Sequence, residues 1–108
     1  MGIAAAGEHG SAIRDLSGRT DLGTAIDLLS LASIVVSNDS GLMHLSVAVG
    51  LPTVTVYGPT WPESWNPRAA PHRYVQTRGL SCLGCNRDQC PFGHECMDWV
   101  SVDRVVRE

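Results

Sequence analysis

Two short β-branched apolar runs, Ile34-Val35-Val36 and Thr53-Val54-Thr55-Val56, bracket a segment in which Leu42, Leu45 and Val49, with Met43 and Val47 beside them, recur at helical spacing. Runs of that length suit buried strands, so residues 34–60 are predicted to fold as strand, helix, strand. Upstream, Leu22, Ala25, Ile26, Leu28, Leu29 and Ala32 form a broad stripe with Asp27 and Ser30 off it. That pattern predicts a helix over 22–32 packed on the sheet. Ile13 to Leu16 reads as a short strand leading into Ser17-Gly18-Arg19-Thr20, with Thr20 as the helix cap and Asp21 in the first turn. Downstream, Pro59, Pro62, Pro67 and Pro71, interleaved with Trp61 and Trp65, predict an ordered irregular loop rather than a further helix. Tyr74 to Thr77 reads as a last short strand, and Ser101 as the cap of a final helix turning Val102, Val105 and Val106 inward. The Ala4-Ala5-Ala6 run could end a helix interrupted by Gly7, and residues 1–11 are assigned no element. Strands alternating with helices imply an α/β fold on a Rossmann-like parallel sheet.

In a parallel sheet the carboxyl ends of strands 34–37 and 53–57 share one edge, which brings Ser37-Asn38-Asp39 and Gly58-Pro59-Thr60 together. Ligands of open α/β sheets bind at that edge. Asn38, Asp39 and Ser40 offer capping side chains, and Gly41 lets a ligand come close to the backbone. The first amides of the helix have no partner within it, and its dipole is positive there, so the turn suits an anion such as a phosphate. His44 lies about one turn on, near the same face. Spacing alone is equally compatible with an ordinary capped helix carrying an exposed histidine. Arg19 has the charge for a phosphate ligand, although a solvated loop arginine is the commoner arrangement. Trp61 or Trp65 could stack on a base or sugar, or pack the loop onto the domain.

A chain of 108 residues suffices for one modest domain, taken as residues 1–108, and not for two. The 44% apolar fraction fits a packed core, and no uninterrupted apolar stretch is long enough for a transmembrane segment. Residues 1–7 lack the basic and apolar regions of a secretory signal, so a cytoplasmic location is expected, with peripheral attachment to the inner membrane as an option. A formal charge of −3 gives no general attraction to nucleic acid, which is not expected as a partner.

Cys82, Cys85, Cys90 and Cys96 form C-x2-C-x4-C-x5-C inside a cysteine-rich loop over 80–97, with His94 in the last interval. Four thiolates this close in sequence can surround one tetrahedral ion, and zinc in a structural role is the expectation. Spacing does not separate zinc from an iron–sulfur cluster, from reduced thiols, or from two disulfides, which a reducing compartment disfavours. Cys82-Leu83-Gly84-Cys85 has thioredoxin-type spacing without the strand-to-helix setting of a redox motif. The distance in sequence from residues 37–44 points to an architectural staple.

Asp39-Ser40-Gly41-Leu42-Met43-His44-Leu45, followed by Gly50-Leu51-Pro52 and Tyr57-Gly58-Pro59-Thr60, resembles the nucleotide-sugar site of the bacterial heptosyltransferases, glycosyltransferase family 9. The resemblance runs from about Asp15 to the C-terminus. It implies the C-terminal half of a two-domain GT-B glycosyltransferase, incomplete here, with an aspartate-x-glycine-x-x-histidine motif at Asp39, Gly41 and His44. Leu42 stands where most relatives carry proline. By that resemblance the Ser40 and Gly41 amides and His44 would bind the diphosphate of an ADP-sugar donor, Asp39 in the same site would fix the turn and the His44 imidazole, and Gly58, Pro59 and Thr60 would border the donor. An inverting transfer to a lipopolysaccharide-core, other glycan or lipid-linked acceptor would follow, without a catalytic cofactor. The general base and acceptor site would belong to an N-terminal domain, and residues 1–108 alone would be inactive and bind ADP weakly at best. A nucleotide-sugar epimerase-like domain and a non-enzymatic metal-stapled binding module are the alternatives.

Overall fold

A computed structural model describes residues 13–108, so the Ala4-Ala5-Ala6 expectation lies outside the described residues. The elements in chain order are helix α1 (Leu22–Ser30), strand β1 (Val35–Asn38), helix α2 (Gly41–Ala48), strand β2 (Thr53–Tyr57), helix α3 (Pro62–Trp65), strand β3 (His72–Gln76), helix α4 (Glu95–Asp98) and helix α5 (Val102–Val106).

The strands form one parallel sheet in the order β1-β2-β3, with Val35 opposite Thr53 and Thr53 opposite His72. Central β2 is buried at Thr53, Val54, Thr55 and Tyr57, because strands flank it on both sides. Met43 from α2, Leu51, Val54, Tyr57 and Val75 make up the apolar core. The Tyr57 and Tyr74 rings meet edge to face, 5.9 Å between centroids, the arrangement their quadrupoles favour. Gly50 follows α2 at φ +82°, the left-handed conformation in which glycine carries no Cβ penalty, so the helix stops and Pro52 leads into β2.

Several sequence expectations shift. Ile13 to Leu16 is not a strand. Asp21, not Thr20, caps α1, its carboxylate accepting from the Thr24 amide at 2.8 Å. A carboxylate one residue nearer the helix reaches the free amides more directly and favours the dipole's positive end. Helix α1 buries no residue fully, and Leu22 and Leu31 stay exposed, so its stripe is only partly covered. The proline-rich loop contains α3, which forms because Pro62 stands in the first turn, where no amide hydrogen is required. Strand β3 begins at His72 rather than Tyr74. Ser101 caps α5 as expected, but Val102 and Val106 are 76% and 78% exposed and only Val105 turns inward. Five residues make little more than one turn and cannot aim three valines at one neighbour. Arg104 ties this helix to the sheet by donating to the Gln76 carbonyl at 2.9 Å.

Candidate functional site

Because β1 and β2 run parallel, their carboxyl ends deliver residues 39–44 and 58–60 to one edge. The Asp39 amide still donates to the Val56 carbonyl at 3.2 Å, so the turn leaves β1 only after the pairing has fixed its position. Ser40 is the N-cap residue of α2, extended at φ −163° and ψ 168°. Its carbonyl accepts from the Met43 amide at 3.1 Å.

The Ser40 hydroxyl does not cap the helix. It lies 3.3 Å from the Ser37 hydroxyl, which donates to the Asn38 carbonyl. The expected capping role of Asn38, Asp39 and Ser40 is therefore not realised in a side-chain bond to the helix. Among the described residues the Gly41 and Leu42 amides find no acceptor, and Gly41 and Leu42 are exposed. Among the described residues, its own helix backbone and chain neighbours aside, no atom lies within 4 Å of a Cβ built on Gly41, so the space beside this residue is open. His44 is exposed, and Asp39 and Ser40 are half-buried. The arrangement presents donors and the positive end of an eight-residue helix at the sheet edge.

Tyr57 ends β2 beneath this turn, with its hydroxyl buried and without a hydrogen-bond partner among the described residues. Burial, then the nearby Asp39 carboxylate, pushes the phenol well above its usual range, so it stays protonated.

The Gly58–Thr60 loop is held by groups the sequence did not single out. Gln76 donates its side-chain amide to the Thr60 carbonyl at 2.9 Å and to the Gly58 carbonyl at 3.3 Å. The Asn86 amide donates to the Pro59 carbonyl at 2.9 Å. Gly58 is buried, and a Cβ there would come within 2.5 Å of the Met97 sulfur and 3.4 Å of Cys96 Sγ. Gly84, at φ +72°, presses against Trp61, where a Cβ would fall inside the indole. Trp61 is thus occupied along one edge, while 48% of its surface remains exposed. Arg19 is exposed in a turn closed by its amide on the Leu16 carbonyl.

The cysteine loop, remote in sequence, is in space a neighbour of this edge. Cys82, Cys85, Cys90 and Cys96 line one cavity of about 670 Å³ together with Asn38 and Pro59. Ser40, Gly41 and His44 lie outside that lining. All four cysteines are free thiols. Burial, followed by the thiols of Cys90, Cys82 and Cys85, pushes the Cys96 thiol up. Among the described residues no three His, Cys, Asp or Glu side chains already stand close enough together to hold a metal ion. A second cleft, about 440 Å³, is lined by residues of α3, β3 and the chain end, Glu63, Asn66, Arg68, His72, Tyr74 and Glu108 among others. It contains none of the residues singled out from the sequence as a candidate site. No described helix is long and apolar enough to cross a membrane.

Comparison with known proteins follows the same residues. The profile of Glycosyltransferase family 9 (heptosyltransferase) matches residues 3–95. Lipooligosaccharide heptosyltransferase 2 of Haemophilus ducreyi is 34% identical over 97 residues, covering 87% of this chain and 28% of that protein. The enzyme of that name from Haemophilus influenzae is 49% identical over 49 residues, 45% of this chain and 14% of the relative. Lipopolysaccharide heptosyltransferase 2 of Escherichia coli is 38% identical over 63 residues, 58% of this chain and 18% of the relative. The chain therefore spans less than a third of the length of these relatives, and no solved structure matches it. A profile match over most of the chain, carried through both loops of the sheet edge, makes this protein a member of glycosyltransferase family 9, the heptosyltransferases.

Proposed function

We propose that residues 13–108 form part of the nucleotide-sugar donor side of an inverting heptosyltransferase-type enzyme of the two-domain GT-B kind, acting in lipopolysaccharide or related glycan synthesis. The observation that carries the reading is that the Gly41 and Leu42 amides at the start of α2 have no acceptor among the described residues, with open space beside Gly41. A diphosphate there would accept from these amides and lie near the positive end of the helix. His44, exposed one turn on, would add a hydrogen bond, and the Gly58–Thr60 loop would border the donor.

The chemistry fits what such a turn can supply. An acceptor hydroxyl attacks the anomeric carbon, the bond to the nucleoside diphosphate breaks, and negative charge grows on the leaving oxygens. Fixed amide donors stabilise that charge without reorganising, which is where they assist most. The general base and the acceptor would come from outside these residues, in keeping with the share of its relatives' length that the chain spans. An ADP-linked sugar is the donor we assign, and a glycan or lipid-linked saccharide the acceptor.

Gly41→Ala provides the decisive test, because the added methyl would clash with none of the described residues and alanine suits a helix, while it would crowd a bound diphosphate. In amide NMR spectra, ADP should shift the Ser40, Gly41 and Leu42 signals of the wild type. The response should weaken in Gly41→Ala and in His44→Ala with the remaining spectrum intact. Shifts elsewhere only, or equal shifts in all three proteins, would sink the reading.

A further inference from the structure

We propose that Cys82, Cys85, Cys90 and Cys96 constitute a structural zinc site that fastens the cysteine loop to the Gly58–Trp61 loop at the carboxyl edge of the sheet. The inference stands on residues separate from the donor turn, so a failure of ADP to bind would leave it untouched.

Convergence is the first observation. Four cysteines spread over C-x2-C-x4-C-x5-C are all among the residues lining a single cavity, and three of them are half-buried. The backbone supplies the second. Gly84, Asn86 and His94 take positive φ values of 72°, 50° and 63°, so the chain reverses repeatedly around the cavity. Asn86 and His94 do so without being glycine, a conformation uncommon outside tight turns. Within it, the Phe92 amide points at Cys90 Sγ across 3.4 Å.

The third observation is how little else organises this stretch. Between the end of β3 and Val102 there is one helix of four residues, and Phe92 and Trp99 are 62% and 60% exposed. Hydrophobic burial is therefore a weak source of order here, and a metal can supply it instead. Zinc binds four thiolates tetrahedrally at about 2.3 Å. The sulfurs are not yet grouped at that spacing, so an ion would have to draw Cys82, Cys85 and Cys90, in a stretch free of helix and strand, toward Cys96 at the start of α4. Zinc is preferred over harder ions because the ligands are all soft sulfur.

The loop is already joined to the donor edge. Asn86 bonds Pro59, Gly84 abuts Trp61, and the Cys96–Met97 pair covers Gly58. An ion on the four sulfurs would fix those three contacts together, giving the cysteines a bearing on the nucleotide loop that their place in the sequence conceals.

Cobalt(II) titration of the reduced 108-residue chain tests the proposal, followed by displacement with zinc. One equivalent of cobalt should produce the intense visible absorption of a tetrahedral thiolate site, and zinc should abolish it. Cys90→Ser and Cys96→Ser should each weaken cobalt binding by at least about tenfold, the smaller loss typical even of outer-sphere changes, whereas His94→Ala should not. Should a variant fail to fold, alkylation of the wild type still decides: zinc should protect all four thiols and a chelator should expose them. Absence of the cobalt spectrum, thiols alkylated equally with and without zinc, four cysteines recovered as two disulfides from reducing cells, or iron with inorganic sulfide at the site would each overturn the assignment.

Discussion

The side chain of Gln76, last in β3, donates to the Thr60 carbonyl at 2.9 Å and so sets the height of the Gly58–Thr60 loop over the sheet. The loop's position is thus decided from the strand beyond it as well as from the strand it follows.

Gln76→Leu removes both loop bonds while keeping the side chain's bulk. It should cost about 1–3 kcal/mol in urea unfolding, since two part-buried carbonyls lose their donor. The ADP response at residues 40–42 should weaken in parallel. An unchanged unfolding midpoint would show that the loop is held by Asn86 and the cysteine segment alone.

Met43 is fully buried under α2, the helix whose first turn carries the free amides. Met43→Ala should lower stability by about 2–5 kcal/mol, as for large aliphatic side chains emptied from a core. A loss under 1 kcal/mol by denaturant titration would mean that the sheet closes onto α2 without it.

At Gly84 a side chain meets both an unfavourable φ and the Trp61 ring. Gly84→Ala should destabilise by more than about 1 kcal/mol. Trp61→Ala should recover part of that loss in a double-mutant cycle, because it removes the steric share and leaves the conformational one. Strictly additive losses would contradict the contact.

The Asp21 carboxyl is held below the usual carboxylate range, chiefly by the Thr24 amide that it caps. A depressed folded value means that the contribution is present above the unfolded carboxylate pKa, near 3.9, and is lost as pH falls through the folded one. The unfolding midpoint of wild type should therefore decline in strong acid. Asp21→Asn, which caps without titrating, should flatten that decline. Identical pH profiles for the two proteins would remove the cap from the account of acid sensitivity.

Much of the fold was legible because its signals are local. The β-branched runs at 34–36 and 53–56, the stripe of α2 and the Gly50-Leu51-Pro52 stop mark a strand-helix-strand unit by themselves, and the parallel register then places 37–40 and 58–60 at one edge. Smaller misassignments came from competition between adjacent candidates. Thr20 and Asp21 can both cap, and only geometry shows that Asp21 reaches Thr24. Pro62 reads as a loop residue until its place in a helical first turn is known. Of the three valines of α5 expected inward, Val102 and Val106 stay exposed, because periodicity does not reveal whether a neighbour exists to receive them.

What lay beyond the sequence was tertiary pairing. Nothing in Gln76, Asn86 or Gly84 signals an attachment to residues 58–61, since each partner is many positions away. The same holds for the cysteines, whose spacing suggested an isolated staple although their cavity includes Asn38 and Pro59.

Arg104 extends this linkage to the tail. Its guanidinium holds the Gln76 main chain, and the Gln76 amide in turn holds Thr60. Trimming the polypeptide before Ser101, an economy often tried to improve expression, would therefore slacken a surface near its middle, and any shortened version should be compared with the untrimmed protein before its ligand affinity is trusted.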